Sequence, residues 1–339
     1  MRRRAVVGIL VVAAVLGVAT VRSQRAEKNI GTESTSSNKT IREKTEEHMK
    51  EATTPGDHTY TFTTKDGERS YVVHVPKGYD ASKSYPVLFG FHGGFGSAEQ
   101  LEKSVHFSEY ADTRGFIAVY GQGTALGLIK APAWNAGGCC GASQDNNKNV
   151  DDVGYVREVL SQVKAKFRVD EARVYMAGMS NGSMMVNRLA CEAPDLFAGA
   201  ASVSGTIQVD TCNPTKHIPM LIMHGTADTN VPYTGGQGES ILNRSTFISV
   251  ERAFKDWGKR NSCTGSVTTT ALKPLVNDGT GVDRLTYAAC PAKQDVVLYR
   301  INGGIHGWPG GPAGSNRLES KKPSQAINGS ETILNFFGL

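Results

Sequence analysis

Short apolar runs and longer stretches of helical periodicity alternate along most of this chain. The runs are Pro86 to Phe91, Phe116 to Tyr120, Arg173 to Ala177, Gly199 to Val203, Pro219 to Met223 and Val296 to Ile301. Unbroken apolar runs of this kind suit strands that are covered on both faces. Between them, Val153, Val156, Leu160, Val163 and Phe167 recur at helical spacing, as do Phe247, Val250, Phe254 and Trp257. Ile327, Ile333, Leu334 and Phe337 predict a last helix. This alternation predicts an α/β fold, a mostly parallel twisted sheet with helices on both faces. Ahead of it, Tyr60 and Phe62 alternate with polar residues, Asp66-Gly67 supplies a turn, and Tyr71, Val73 and Val75 alternate back. That pattern predicts an N-terminal β-hairpin.

The first 56 residues read differently. Met1-Arg2-Arg3-Arg4 precedes an almost wholly apolar stretch from Ala5 to Thr20, and Val21-Arg22-Ser23 follows. A basic start, an apolar stretch and a small residue at the end describe a secretory signal peptide over 1–23. The apolar stretch, at about 16 residues, is shorter than the ~20 that cross a bilayer. Residues 24–56 are polar and rich in Thr, Ser, Glu and Lys, which predicts a flexible tether. Residues 57–339 are then expected to form one α/β domain, with no internal repeat and no second domain.

Composition narrows the function. Of 339 residues, 39% are hydrophobic and 20% charged, which excludes a globally disordered chain. The net charge of +5 comes largely from Arg2, Arg3, Arg4 and Arg22; without them 33 basic residues face 32 acidic ones. No basic surface is left to suggest nucleic acid, and cleavage of the signal would leave no stable membrane association. Six cysteines fit an oxidising compartment. Cys139 and Cys140 are adjacent, so each is expected to reach one of Cys191 and Cys212, with Cys263 and Cys290 forming a third bridge. No C-x-x-C spacing and no histidine cluster is present, so neither a metal nor another cofactor is expected.

The candidate chemistry begins at Gly178-Met179-Ser180-Asn181-Gly182, a G-x-S-x-G match. The strand candidate Arg173 to Ala177 leads into it, and Ser183 to Ala193 reads as a helix. Strand, sharp turn and helix form a nucleophile elbow, with Ser180 at its apex. A serine hydroxyl needs a base, and the base an orienting acid. Asp228 follows the strand Pro219 to Met223, and His306 follows the strand ending at Ile301, giving the order Ser, Asp, His. All three lie just past strand C-termini, where open α/β sheets build their sites. The oxyanion requires two aimed N–H groups. They are expected from Asn181, directly after the nucleophile, and from Gly94 in His92-Gly93-Gly94, with Phe95 as the near alternative. His92 is read as fixing that loop. Asp151 and Asp152 are read as capping a helix. Trp134 and Trp308, on glycine-rich loops, are the expected substrate-binding residues.

Several stretches together resemble a known family. They are Phe91 to Gly94, Trp134 to Gly141, Val150 to Tyr155, Gly178 to Met185, Cys191 to Ala198, His224 to Tyr233 and Gly303 to Gly310. In this order they resemble the secreted esterase and polyhydroxybutyrate depolymerase family, relatives of the feruloyl and acetylxylan esterases of carbohydrate esterase family one. The resemblance implies an α/β-hydrolase fold, ester hydrolysis and the triad Ser180, Asp228 and His306. Ser183 departs from it, since many members carry Gly there. The expected partner is a small-molecule or polymer ester. A feruloyl or related acyl group on plant polysaccharide is the first expectation and a hydroxybutyrate polyester the second. A serine peptidase on the same fold and a non-catalytic binding protein are more distant alternatives.

Overall fold

The computed structural model describes residues 53–126, 131–140, 148–239, 245–312 and 322–339. The expected signal peptide and most of the expected tether lie outside the described residues.

The strands are β1 (Gly56–Thr64), β2 (Gly67–Val75), β3 (Tyr85–Phe91), β4 (Ile117–Gly121), β5 (Thr124–Leu126), β6 (Ala131–Ala133), β7 (Val169–Met179), β8 (Gly199–Val203), β9 (Met220–Gly225), β10 (Gly236–Gln237), β11 (Thr246–Phe247), β12 (Thr264–Leu272), β13 (Gly281–Ala289) and β14 (Val296–Asn302). The helices are α1 (Ala98–Val105), α2 (Phe107–Arg114), α3 (Asp152–Lys166), α4 (Asn181–Glu192), α5 (Val250–Arg260) and α6 (Gly329–Phe337). Ten strands form one sheet in the order β1-β2-β4-β3-β7-β8-β9-β14-β13-β12. Its centre, from β4 to β14, is parallel. The β1–β2 hairpin at one edge and β12–β13 at the other are antiparallel.

The central strands are buried on both faces, which explains why they read as continuous apolar runs. On β3, Phe89 packs into one core with Val156, Leu160, Leu189, Phe254 and Trp257, contributed by α3, α4 and α5. Its neighbour Leu88 packs into the other with Leu101, Phe107, Leu334 and Phe337, contributed by α1, α2 and α6. Alternate side chains of one strand therefore serve opposite layers. These are the expected helices on both faces of the expected sheet.

The opening of α3 differs in part from its sequence reading. Asp151 is the N-cap, accepting from Gly154 N at 2.8 Å. Asp152 is instead fully buried and pairs with Arg69 Nη2 at 2.7 Å. Its other oxygen accepts from Asn135 N at 2.7 Å. Arg69 also donates to Gln122 O and stacks 4.0 Å over the Tyr155 ring. This buried charge pair fastens the hairpin to α3 and to the loop carrying Trp134.

The cysteines pair differently from the expectation. Cys191 bonds Cys212 and Cys139 bonds Cys140, while Cys263 and Cys290 pair as expected. Cys191, on the last turn of α4, has its Cα 4.8 Å from that of Cys212. Each is the other's partner, so neither is left for the adjacent pair. Among the described residues, no helix is long and apolar enough to cross a membrane.

Candidate active site

Ser180 stands where β7 turns into α4, at φ 56 and ψ −122. Left-handed φ costs a non-glycine residue about 1–3 kcal/mol, and such strain persists only where the surroundings impose it. The two glycines of the elbow show what imposes it. A side chain at Gly178 would run into the Gly182 carbonyl, and one at Gly182 into the Phe91 carbonyl at the end of β3. The turn is thus pressed directly against backbone, with Ser180 at its tip.

His306 Nε2 lies 3.0 Å from Ser180 Oγ, and His306 Nδ1 lies 2.7 Å from Asp228 Oδ2. The carboxylate can only accept, so Nδ1 carries the proton and Nε2 presents a lone pair to the serine hydroxyl. Asp228 Oδ1 accepts from Asn230 N at 2.9 Å and Val231 N at 2.8 Å. His224 Nε2 adds a contact to Asp228 Oδ2 at 3.3 Å while donating to Val231 O at 2.8 Å. Burial alone would raise the Asp228 carboxyl, but the His306 and His224 imidazoles outweigh it and hold it below the usual carboxylate range. Asp228 is therefore a fixed negative charge beneath His306. The three residues come from the ends of β7, β9 and β14, and the sheet brings together what the sequence separates.

The donors around Ser180 follow from the loop after β3. A methyl group at Gly93 would sit 3.3 Å from Ser180 Cβ, and one at Gly94 would sit 3.8 Å from Asn181 Cβ. The loop therefore lies against the elbow. Phe95 N is committed to Pro132 O at 2.8 Å, which removes it as an alternative donor and leaves Gly94. His92 secures the loop from within: Nδ1 donates to Gly93 O at 2.7 Å and Nε2 accepts from Gly123 N at 2.9 Å. The bond accepted at Nε2 requires the neutral ring. Burial pushes His92 down from 6.5 to about 4, partly opposed by its bond to Gly93.

A pH dependence follows. The unfolded chain protonates His92 near 6.5, whereas the folded chain does so only near 4. The stability contributed is complete above 6.5 and is lost as pH falls to about 4, at roughly 1.4 kcal/mol per pH unit from this group. Thermal unfolding of the wild type should drop in Tm across that window, and His92→Gln should drop less steeply. Parallel pH profiles would remove His92 from the account.

Trp134 and Trp308 are not where the sequence reading put them. Each is 1% exposed, so neither offers a ring face to a substrate. Trp134 packs edge-on against Phe91, and its indole N–H donates to His92 O at 2.9 Å. Its backbone N–H donates to Asn181 Oδ1 at 2.7 Å, and Asn181 Nδ2 returns a bond to Trp134 O. It ties the elbow to the loop that holds Gly94. Trp308 turns toward α2, packing edge-on against Phe107 and donating to Ser330 Oγ at 2.9 Å.

Two supports were not found in the sequence. Ser204, after β8, donates to Gly307 O at 3.0 Å and steadies the His306 loop. Ser183, the departure from the family pattern, bonds Ser202 Oγ at 2.6 Å. Asn187 joins that pair and accepts from the Trp257 indole at 2.8 Å, linking α4, β8 and α5. Lone serines and asparagines carry no pattern that would mark them in advance.

The profile of the Esterase PHB depolymerase family matches residues 69–232, from the hairpin to just past Asp228. A protein of Nocardia uniformis subsp. tsuyamanensis that bears the name of an esterase, NocK, is 33% identical over 258 residues. These cover 72% of this chain and 71% of that protein. The chain belongs to the Esterase PHB depolymerase family. Among its relatives, feruloyl esterase B of Piromyces equi is 32% identical over 252 residues, which are 73% of this chain and 44% of that protein. The chain thus spans less than half of that relative's length. Feruloyl esterase C of Emericella nidulans is 26% identical, over 73% of this chain and 80% of that protein. The acetyl xylan esterase of Aspergillus awamori shares the α/β-hydrolase fold. It superposes with a TM-score of 0.55 at 16% identity, over 83% of this chain and 99% of that one. The elbow, Asp228 and the glycine-rich loop all fall within the segment that the family profile matches, whereas His306 lies beyond it.

Proposed function

We propose that this esterase-family protein is a serine carboxylic ester hydrolase that works through an acyl-enzyme. The observation that carries the reading is the unbroken hydrogen-bond chain from Ser180 Oγ through His306 to Asp228. Ser180 Oγ attacks the ester carbonyl while His306 Nε2 takes its proton, and Asp228 stabilises the imidazolium. The Asn181 and Gly94 N–H groups receive the oxyanion. His306 returns the proton to the departing alcohol oxygen. Water then attacks the acyl-enzyme, loses a proton to His306, and the acid leaves with Ser180 restored.

The substrate of this reading is a feruloyl or related acyl ester on plant polysaccharide, supported by the names of the relatives from Piromyces equi and Emericella nidulans. A short-chain hydroxybutyrate polyester is the second reading, supported by the family's own description. The reading also has the enzyme exported: the first 23 residues carry a signal-like pattern, and all six cysteines are in disulfides.

A panel of methyl ferulate, p-nitrophenyl butyrate, hydroxybutyrate oligomers and a peptide anilide tests it. The highest kcat/KM is expected on methyl ferulate, with no peptide cleavage. Turnover of the oligomers with none of ferulate would establish the polyester reading, and peptide cleavage would overturn both.

A further inference from the structure

Phe95, in the loop after β3, stands apart from every other aromatic residue of the chain. There are 12 phenylalanines, 11 tyrosines and 3 tryptophans. All of them except Phe95 pack into one of the two cores that flank the sheet. Phe91 and His92, just before it, both pack against Trp134, whereas no ring contact reaches Phe95 among the described residues. Its side chain is partly exposed.

Phe95 also holds its place against its own backbone preference. Its φ is 65°, in the left-handed region that glycine tolerates and a bulky residue avoids. Among the described non-glycine residues at positive φ, Phe95 alone is apolar. Gly93, Gly94 and Gly96 surround it, so a glycine at 95 would complete the loop without strain. Two backbone bonds impose the conformation: Phe95 N donates to Pro132 O at 2.8 Å, and Gly96 N to Gly93 O at 3.1 Å. An apolar ring is thus kept at a conformational cost, and neither core takes it up. Residues strained in this way cluster at ligand sites. The chain places the ligand: Gly93 and Gly94 lie against Ser180 and Asn181. Adjacent Cα atoms are about 3.8 Å apart, so the ring stays within a side chain's length of the oxyanion donor at Gly94.

We propose that Phe95 is the specificity-determining residue of the site, its ring the surface on which an aromatic acyl group stacks while the Gly94 N–H holds the ester oxygen. The assignment rests on the ester-hydrolase reading above and narrows it to aryl acyl esters of the hydroxycinnamoyl class. Phe95 supplies the aromatic face that the buried Trp134 and Trp308 do not offer. A planar acyl ring gains from stacking beyond the area that it buries, whereas a hydroxybutyrate chain has no ring to stack.

Phe95→Ala, Phe95→Trp and Phe95→Gly are compared with the wild type on methyl ferulate, methyl butyrate and phenyl acetate. The ratio of kcat/KM for ferulate to that for butyrate should fall about 2- to 10-fold in Phe95→Ala and recover in Phe95→Trp. The loss should lie in KM rather than kcat, because stacking is shared by the ground and transition states. Phe95→Gly should lose the same ratio with Tm close to that of the wild type or above it, since glycine accepts φ 65° and no core packing is given up. A fall of about 5 °C or more in Phe95→Gly would mean that the ring holds the fold, and overturns the proposal. So does a ratio that these substitutions leave unchanged, or a loss confined to phenyl acetate, which puts the ring on the alcohol side. A wild type that cleaves butyrate and not ferulate overturns the proposal and leaves the hydrolase reading standing. A wild type that cleaves none of the three brings down that reading, and this inference with it.

Discussion

Ser180→Ala lowers kcat for ester hydrolysis by about 1,000-fold or more and leaves thermal unfolding close to that of the wild type. The triad acts as one unit, so loss of the nucleophile removes nearly all of its contribution and leaves only binding and oxyanion stabilisation. The fold should tolerate the change, because alanine sheds only the hydroxyl contact to His306 Nε2. A fluorophosphonate should label the wild type once, at Ser180, and not label the variant. Asp228→Asn is expected to lose a similar amount by a different route: its amide can donate toward His306 Nδ1 and favour the wrong tautomer. Full activity in Ser180→Ala, or labelling of another serine, would dismiss the elbow as the reaction centre.

Asp152→Ala lowers unfolding stability by about 3–5 kcal/mol, the cost of leaving one member of a buried ion pair without its partner. The side chains of Arg69 and Asp152 are 2% and 0% exposed, and Arg69 Nη1 has no hydrogen-bond partner among the described residues. The guanidinium therefore depends on the carboxylate. Asp152→Asn should fall between wild type and alanine, because it keeps an oxygen for Asn135 N and loses the charge. Converting both residues together, Arg69→Met with Asp152→Leu, should recover much of the loss, since apolar replacements of buried pairs are often neutral. Chemical denaturation of the four proteins ranks them. A single Asp152→Ala within 1 kcal/mol of wild type would mean that water reaches Arg69 after all.

What was legible in the sequence tracks how each element is buried. Strands β3, β4, β8 and β9 are buried along their whole length and stand out as apolar runs. Strand β12 gave no such signal, because every residue from Thr264 to Ala271 is exposed at the sheet edge and nothing forces alternation. The short helices α1 and α2 span only eight residues each, too few to establish a period. The grouping of Ser180, Asp228 and His306 could be read because the elbow has a pattern and the acid and base follow in a fixed order. The choice between Gly94 and Phe95 could not, because it turns on the Pro132 carbonyl, a contact made only in three dimensions. Trp308 was misread for a related reason. Closeness to His306 in sequence says nothing about the side to which the ring turns, and it turns into the α2 layer.

Ser180 and His306 are 126 residues apart, and β14, which delivers the histidine, sits between β9 and β13 in the sheet. Bringing such distant residues together carries a loop-closure entropy that local contacts do not. Without β14 the nucleophile has no base, and the loop of Asp228 loses the bonds that Thr226 and Ala227 donate to Ile301 and Gly304. On the proposed mechanism, fraying of the C-terminal strands is expected to remove hydrolysis while most of the helix and sheet signal persists. Activity is then expected to report on the docking of β14, which a secondary-structure signal averaged over the whole chain reports only weakly.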